Sequence, residues 1–182
     1  MNIYDVHIKN GEVIDGTGAP KFKSDIVIDK GKIIGVFPAE NGDVRDPSEN
    51  HFLSNFKAKH TINAENKIIS PGFIDVHTHD DDNVFLDPSM SSKISQGVTT
   101  CVAGNCGISL APFSYKGEVP APIALLGKSE VFRFPRVSDY KEEFNNKPSS
   151  VNLALLTGHS MLRVEAMNCL LYTSPSPRDL AV

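Results

Sequence analysis

The chain has 182 residues, of which 40% are hydrophobic and 22% are charged, and its formal net charge is −4. This length and composition predict a globular protein with one sizeable core or two small ones, and they argue against a disordered or fibrous chain. Scattered charges, the lack of any run of about 20 apolar residues and the lack of a leader-like start favour a cytoplasmic protein with neither a nucleic-acid nor a membrane partner.

Residues 1–69 are predicted to form a small β-domain of several short antiparallel strands. Apolar residues alternate over residues 4–8, and Asn10-Gly11 is typical of a turn. Lys30-Gly31 separates two further apolar segments at the spacing of a tight hairpin. The polar stretch 38–59 predicts a surface loop between strands.

Three longer apolar runs follow, at residues 68–76, 97–103 and 151–158. Apolar residues at nearly every position are typical of strands that are buried on both faces, as in a parallel sheet covered by helices. Parallel strands all end at the same rim of their sheet. In a (β/α)8 barrel, that rim carries the active site.

Helices are predicted between these runs. Asp87 is a candidate N-cap for a helix that starts at Pro88 and ends at Gly97. Ser138 is a candidate N-cap for a second helix over residues 139–146. The order β, α, β, α, β is therefore expected, with an irregular insert over residues 110–137.

Ligand-capable side chains follow each run. His77 and His79 lie two residues apart, so on a strand they would point the same way, with Asp75 on the same face. Cys106 comes after the second run, 29 residues after His77. Imidazole and thiolate together suit zinc better than magnesium or calcium, which prefer oxygen ligands.

Four motifs occur in a fixed order: Pro71-Gly72-Phe73-Ile74-Asp75-Val76-His77-Thr78-His79-Asp80-Asp81, Gly97-Val98-Thr99-Thr100, Gly104-Asn105-Cys106-Gly107-Ile108-Ser109 and Gly158-His159-Ser160-Met161-Leu162-Arg163. Through these motifs the chain, from about residue 4 to 168, resembles the N-acyl-D-amino-acid deacylases (D-aminoacylases) of the amidohydrolase superfamily. The histidine pair is shared across that superfamily. The Gly-Asn-Cys-Gly motif at this distance is specific to the deacylase branch.

The resemblance implies an α/β fold: a distorted (β/α)8 barrel with a small β-sandwich. A barrel of this kind takes about 250 residues. Residues 70–168 would therefore supply only about the first three strands of an incomplete barrel, and residues 1–69 would supply part of the sandwich.

The resemblance also implies zinc-dependent hydrolysis of N-acyl-D-amino acids to a carboxylate and a D-amino acid. It assigns His77, His79 and Cys106 as the first three ligands of a site for one or two Zn²⁺ ions. The family's two later histidines and its late aspartate, which acts as general base and acid, have no counterpart here. We therefore expect the catalytic aspartate beyond residue 168 and no turnover from residues 1–168 alone. Poor solubility of residues 1–168 is also expected, because the strands of an incomplete barrel have open edges with unpaired backbone groups.

Other side chains have competing interpretations. Asp75 either orients a ligand imidazole or is a strand-end carboxylate bonded to backbone. Cys106 as an inert core thiol is the alternative to a ligand, although its flanking glycines favour close approach to an ion. His159 either touches substrate or metal or is structural, and Arg163 is a candidate to bind a substrate carboxylate bidentately. Residues 80–82 are expected to be a solvated loop.

Two rival functions stay open at this point. A cyclic-amide hydrolase of the hydantoinase or dihydroorotase kind shares the histidine pair but usually bridges two metals through a carboxylated lysine. A non-catalytic scaffold of the same fold is the other, and retention of both histidines and the cysteine disfavours it.

The end of the chain continues no earlier pattern. Residues 169–182 are similar to the in-frame translation of a transposase-type sequencing adapter, which predicts a foreign tail. A natural terminus rich in proline and serine is the alternative.

Overall fold

The computed structural model describes residues 2–38, 52–53, 55–121 and 123–167. It divides into two compact units, Met1–Pro71 and Gly72–Val182. Within the described part, no helix is both long enough and apolar enough to cross a membrane. The predicted foreign tail lies outside the described residues, as does most of the predicted loop after Pro38.

The first unit is a five-stranded sheet. The strands are β1 (Asn2–Val13), β2 (Phe22–Asp29), β3 (Lys32–Pro38), β4 (Phe56–Asn63) and β5 (Ile68–Ile69). Their order in the sheet is β3-β2-β1-β4, and β5 also pairs with β1. The expectation of antiparallel strands holds for β1, β2 and β3 but is wrong for β4 and β5, which both run parallel to β1.

Two predicted turns in this unit have opposite outcomes. Lys30 and Gly31 adopt φ values of 48° and 73° and join β2 to β3, so the hairpin prediction is confirmed. Asn10-Gly11 makes no chain reversal, because β1 continues through it with a register shift between Ile8 and Gly11. The backbone N–H of Asn10, at φ 62°, donates to the Asp25 carboxylate over 2.9 Å, which fixes this local kink inside the strand.

The second unit contains a three-stranded parallel sheet and a two-stranded antiparallel ribbon. The parallel strands are β6 (Phe73–Asp75), β7 (Val98–Ala103) and β10 (Asn152–Leu155), and the ribbon consists of β8 (Phe113–Ser114) and β9 (Arg133–Phe134). The order in the parallel sheet is β10-β7-β6. The helices are α1 (Asn83–Leu86), α2 (Ser91–Ile94), α3 (Val137–Asn146) and α4 (His159–Met167). The parallel pairing of the three apolar runs agrees with the sequence pattern.

The first apolar run is divided between the two units. Ile68–Ile69 pairs with β1, whereas Phe73–Asp75 pairs with β7. Between them lies Pro71, which has no N–H to donate to a ladder. The two histidines therefore follow a strand that ends at Asp75, and they do not lie on it as the sequence pattern suggested.

Strand β6 is not buried on both faces, although its apolar run predicted such burial. Phe73 and Ile74 are 59% and 60% exposed. The reason is their position, because β6 is at one edge of the three-stranded sheet.

Both predicted helices begin at other residues than expected. The first starts at Ser91 rather than Pro88, because Met90 adopts a left-handed conformation (φ 46°), and a separate turn, α1, precedes it. Gly97, at φ 79°, follows its end as predicted. Helix α3 starts at Val137, because the Arg136 backbone N–H donates to the Asp139 carboxylate over 3.2 Å in a capping arrangement.

The core of the second unit draws heavily on the insert that was expected to be irregular. The insert contains the β8–β9 ribbon and two short 3₁₀ turns, Ile123–Leu125 and Ser129–Val131. The largest fully buried side chains of this unit are Tyr140, Phe113, Phe132, Met90, Leu110, Ile123 and Met161. Four of these seven come from the insert, so it is part of the fold that supports the sheet.

Candidate metal centre

Three of the side chains predicted as ligands converge after β6 and β7. One donor atom each from His77, His79 and Cys106 lies within 4.8 Å of the other two. His77 Nε2 is 3.2 Å from Cys106 Sγ, and the two imidazole ring centroids are 5.8 Å apart. His77 and Cys106 are exposed and His79 is half-buried, so the cluster lies partly at the surface.

The loop that carries Cys106 requires its glycines. Gly104, Cys106 and Gly107 adopt φ values of 83°, 56° and 75°, and the left-handed conformation is strained for a cysteine. A Cβ on Gly104 would stand 2.1 Å from the carbonyl oxygen of Leu156. A Cβ on Gly158 would stand 2.5 Å from the carbonyl oxygen of Gly107. The cysteine loop therefore packs backbone to backbone against the end of β10, which fixes its position.

Asn105 ties this loop to the histidine segment. Its Nδ2 donates to the carbonyl oxygens of Val102, at 2.7 Å, and Thr78, at 3.3 Å. The backbone N–H of Thr78 in turn donates to the Val102 carbonyl oxygen over 3.3 Å. Asn105 lies inside the Gly-Asn-Cys-Gly motif, but its residue type alone does not predict this bridging role.

Lys93 also contacts the segment that carries the two histidines. Its Nζ lies 2.7 Å from Asp75 Oδ2, 2.9 Å from Asp80 Oδ2 and 3.4 Å from Thr78 Oγ1. The hydrogen bond that Lys93 donates to Asp75 and the charges of both carboxylates raise the pKa of Lys93, and the same bond lowers the pKa of Asp75. The other oxygen of Asp75 accepts the His77 backbone N–H over 3.3 Å, so this contact reaches the histidine through its backbone.

The expectation of a solvated loop over residues 80–82 is wrong. Asp81 is fully buried and Asp82 is 7% exposed. Burial raises the pKa of Asp81, and the nearby backbone N–H groups of Gly104 and Leu110 oppose that shift. Neither Asp81 oxygen makes a hydrogen bond of good geometry within the described residues. Local sequence did not reveal this burial, because the covering groups come from distant segments.

The donor set fits zinc. Nδ1 of His79 is buried and has no hydrogen-bond partner among the described residues. Such a nitrogen is costly unless another group satisfies it, and it suits a residue whose partner is not a protein group. Two imidazoles and one thiol are the ligand types that zinc prefers, and a three-residue set leaves a position for water or substrate.

The two candidate substrate residues lie on the neighbouring helix. Helix α4 begins at His159, and the Ser160 backbone N–H donates to the Gly107 carbonyl oxygen over 2.8 Å. The first turn of α4 therefore lies against the cysteine loop. His159 is exposed and Arg163 is half-buried, and their spacing of four places them on one face of the helix. Within the described residues, His159 does not join the donor cluster.

The sequence profile of the amidohydrolase family matches residues 60–177. The chain belongs to the amidohydrolase family. It is 38% identical to the D-aminoacylase of Alcaligenes xylosoxydans xylosoxydans over 165 residues, which is 90% of this chain and 31% of that protein.

The solved structures similar to this chain include a D-aminoacylase and an N-acyl-D-glutamate deacylase. One is a D-aminoacylase with a binuclear metal centre, described as activated by one metal and attenuated by the second, with 40% identity and a TM-score of 0.79 over 98% of this chain and 34% of that one. The other is the N-acyl-D-glutamate deacylase of Bordetella bronchiseptica with zinc and a phosphonate mimic of the tetrahedral intermediate. It has 35% identity and a TM-score of 0.79 over 99% of this chain and 34% of that one. The chain thus spans about a third of the length of these relatives.

Proposed function

We propose that this chain carries the first part of a zinc site in a hydrolase that cleaves the amide bond of N-acyl-D-amino acids, giving a carboxylate and a D-amino acid. The observation that carries the proposal is the convergence of His77, His79 and Cys106, with one donor atom of each within 4.8 Å of the others. The names of the D-aminoacylase and the N-acyl-D-glutamate deacylase supply the substrate class. The zinc reported in the latter supports the choice of metal.

The proposal includes the architecture. Residues 70–168 are the first three or so strands of an incomplete (β/α)8 barrel, and residues 1–69 are part of a β-sandwich. The parallel order β10-β7-β6 supports this, together with ligand-type residues after the ends of β6 and β7. A site at the carboxyl ends of parallel strands is the arrangement that barrel enzymes use.

The chain's own residues have separable tasks. His77, His79 and Cys106 hold one zinc ion, in a complete site for one or two ions. Bound zinc supplies Lewis-acid chemistry, which makes a water nucleophilic near neutral pH and draws charge from the amide carbonyl. The proton that the leaving amine needs comes from an aspartate that we expect beyond residue 168.

Substrate orientation is assigned to α4. An N-acyl amino acid carries a free carboxylate, and a guanidinium binds a carboxylate with two parallel hydrogen bonds. Arg163 is the candidate for that contact, and His159 is the candidate for a second polar contact one turn earlier. The hydrogen bond between Ser160 and Gly107 supports both assignments, because it brings the start of α4 to the cysteine loop.

Zinc binding by the 182-residue chain is the first test. Titration calorimetry on chelator-treated protein is expected to give one tightly bound zinc ion per chain, and magnesium is expected to give no binding. A stoichiometry near zero for zinc would contradict the proposal.

Turnover is the second test, and it uses two proteins. Zinc-loaded residues 1–168 are expected to release no acetate from an N-acetyl-D-amino acid, because the aspartate is missing. The protein continued past residue 168 from its recovered coding sequence is expected to hydrolyse the D-enantiomer and to leave the L-enantiomer intact. Hydrolysis of a cyclic amide instead would replace this function with the hydantoinase type.

A further inference from the structure

The two histidines lie on a segment that has little secondary structure to hold it. Strand β6 ends at Asp75 and helix α1 begins at Asn83, so the intervening residues need other anchors. Thr78, between the histidines, is 6% exposed and is held by the bonds to Val102 and Asn105 described above. Those bonds fix the middle of the segment and leave its two ends to other groups.

Lys93 contacts both ends. Asp75 precedes the histidine pair by two residues and Asp80 follows it by one, and the same Nζ binds both carboxylates, at 2.7 and 2.9 Å. The Lys93 side chain is only 20% exposed, and the two carboxylates are 29% and 18% exposed, so this is not a freely solvated surface pair. Thr78 Oγ1 donates to Asp80, which joins the middle of the segment to the same group.

We propose that Lys93 is a positioning residue for the metal centre. Its ammonium group binds the carboxylates at both ends of the segment 75–80 and so holds the two imidazoles at their ligand spacing. The proposal rests on the zinc site proposed above. Among the described residues, the hydrogen bonds and ion pairs of Lys93 go to Asp75, Asp80 and Thr78 and not to a donor atom, so its effect is on geometry and not on coordination.

Removal of the ammonium group would have two consequences. The two carboxylates would face each other without a counter-charge, and like charges at this separation repel. The ends of the segment would then move apart, and His77 and His79 would lose their common orientation. Residues that orient metal ligands typically change metal affinity by about 10- to 100-fold when they are replaced.

The test measures cobalt and zinc binding by the 182-residue chain, without any assay of activity. Zinc affinity comes from competition with a chromophoric chelator, and the visible spectrum of the Co²⁺ form reports ligand geometry and the thiolate bond. Lys93→Met is expected to weaken zinc binding by about 10- to 100-fold and to alter the cobalt spectrum. Lys93→Arg, which keeps the charge, is expected to recover most of the affinity.

Lys141→Met is the matched control, because Lys141 is an exposed lysine on α3 of the same unit. It is expected to leave affinity and spectrum unchanged. If Lys93→Met does not fold, Asp80→Asn replaces it as the test variant, because it removes one of the two carboxylates that Lys93 binds. Asp80→Asn is expected to weaken zinc binding. The double variant Lys93→Met with Asp80→Asn relieves the repulsion and is expected to bind better than Lys93→Met alone.

The outcomes separate the two proposals. Suppose that the unsubstituted chain binds zinc tightly and that Lys93→Met, or Asp80→Asn where Lys93→Met does not fold, has the same affinity and cobalt spectrum. This result would overturn the role of Lys93 and leave the proposed zinc site unaffected. Failure of the unsubstituted chain to bind zinc or cobalt would overturn both.

Discussion

His77 Nε2 lies 3.2 Å from Cys106 Sγ, although 29 residues separate them along the chain. The contact joins the segment after β6 to the loop after β7, and Asn105 bridges the same two segments through backbone carbonyls. Donor atoms that are already close lose little conformational freedom when they bind an ion. The three proposed ligands therefore lie close together before any ion binds.

Removal of any one donor is expected to weaken zinc binding strongly. His77→Ala, His79→Ala and Cys106→Ser should each lower the affinity by about a hundredfold or more, because loss of a ligand exceeds the 10- to 100-fold cost typical of outer partners. His60→Ala is the control, since His60 is an exposed histidine on β4. Chelator competition measures all four, and equal affinities would contradict the assigned ligand set.

The close approach of Gly104 to Leu156 predicts a large cost for a single added methyl group. Gly104→Ala combines a left-handed backbone conformation, which costs an alanine about 1 kcal/mol, with a Cβ placed 2.1 Å from a backbone oxygen. We expect a total loss of about 3 kcal/mol of unfolding free energy. Urea denaturation followed by circular dichroism measures this loss.

Gly16→Ala separates the two causes. Gly16 has nearly the same φ, 85°, but an added Cβ there meets no atom of the described residues within 4 Å. It is expected to lose only about 1 kcal/mol. Equal losses for Gly16→Ala and Gly104→Ala would show that the contact with Leu156 does not constrain the cysteine loop.

The two cysteines near the site are expected to differ in reactivity. Cys101 is fully buried in β7, and burial raises the pKa of its thiol, whereas Cys106 is exposed. Because the thiolate is the reactive form, iodoacetamide should modify Cys106 in the folded chain and spare Cys101 until the pH rises well above the usual cysteine range. Peptide mass spectrometry measures both sites.

Two controls complete the alkylation experiment. In concentrated urea both cysteines should react, because burial is lost. Zinc added to the folded chain should protect Cys106. Two results would argue against the described geometry: labelling of Cys106 that zinc does not slow, or labelling of Cys101 that is as fast as labelling of Cys106.

The start of α3 predicts a pH dependence of stability. The hydrogen bond from Arg136 lowers the pKa of Asp139 in the folded chain below its unfolded value. Its contribution is therefore present above the unfolded pKa and is lost as the pH falls through the folded pKa. Denaturant unfolding between about pH 5 and pH 2 should show a difference between the wild type and Asp139→Asn that shrinks with falling pH. A constant difference would contradict the capping role.

Much of the site was predictable from local sequence, because the ligand types and their positions after apolar runs are local features. The parallel pairing and the hairpin at Lys30-Gly31 followed from the same kind of pattern. The division of the run 68–76 was missed, since apolar character does not say which sheet a residue joins.

The anchors of the site were not predictable in this way. Lys93 and Asn105 owe their contacts to residues in other segments, and Asp81 owes its burial to them, and no periodicity reports such partners. The bulge at Asn10 was missed for the same reason, because its conformation depends on Asp25 in the next strand.

The central claim is that His77, His79 and Cys106 together bind one cation, and X-ray absorption at the zinc edge of the zinc-loaded chain tests it most directly. We predict a first shell with one sulfur at about 2.3 Å and two imidazole nitrogens at about 2.0 Å, and loss of the sulfur contribution in Cys106→Ser. A first shell of oxygen and nitrogen alone in the unsubstituted chain would contradict the claim.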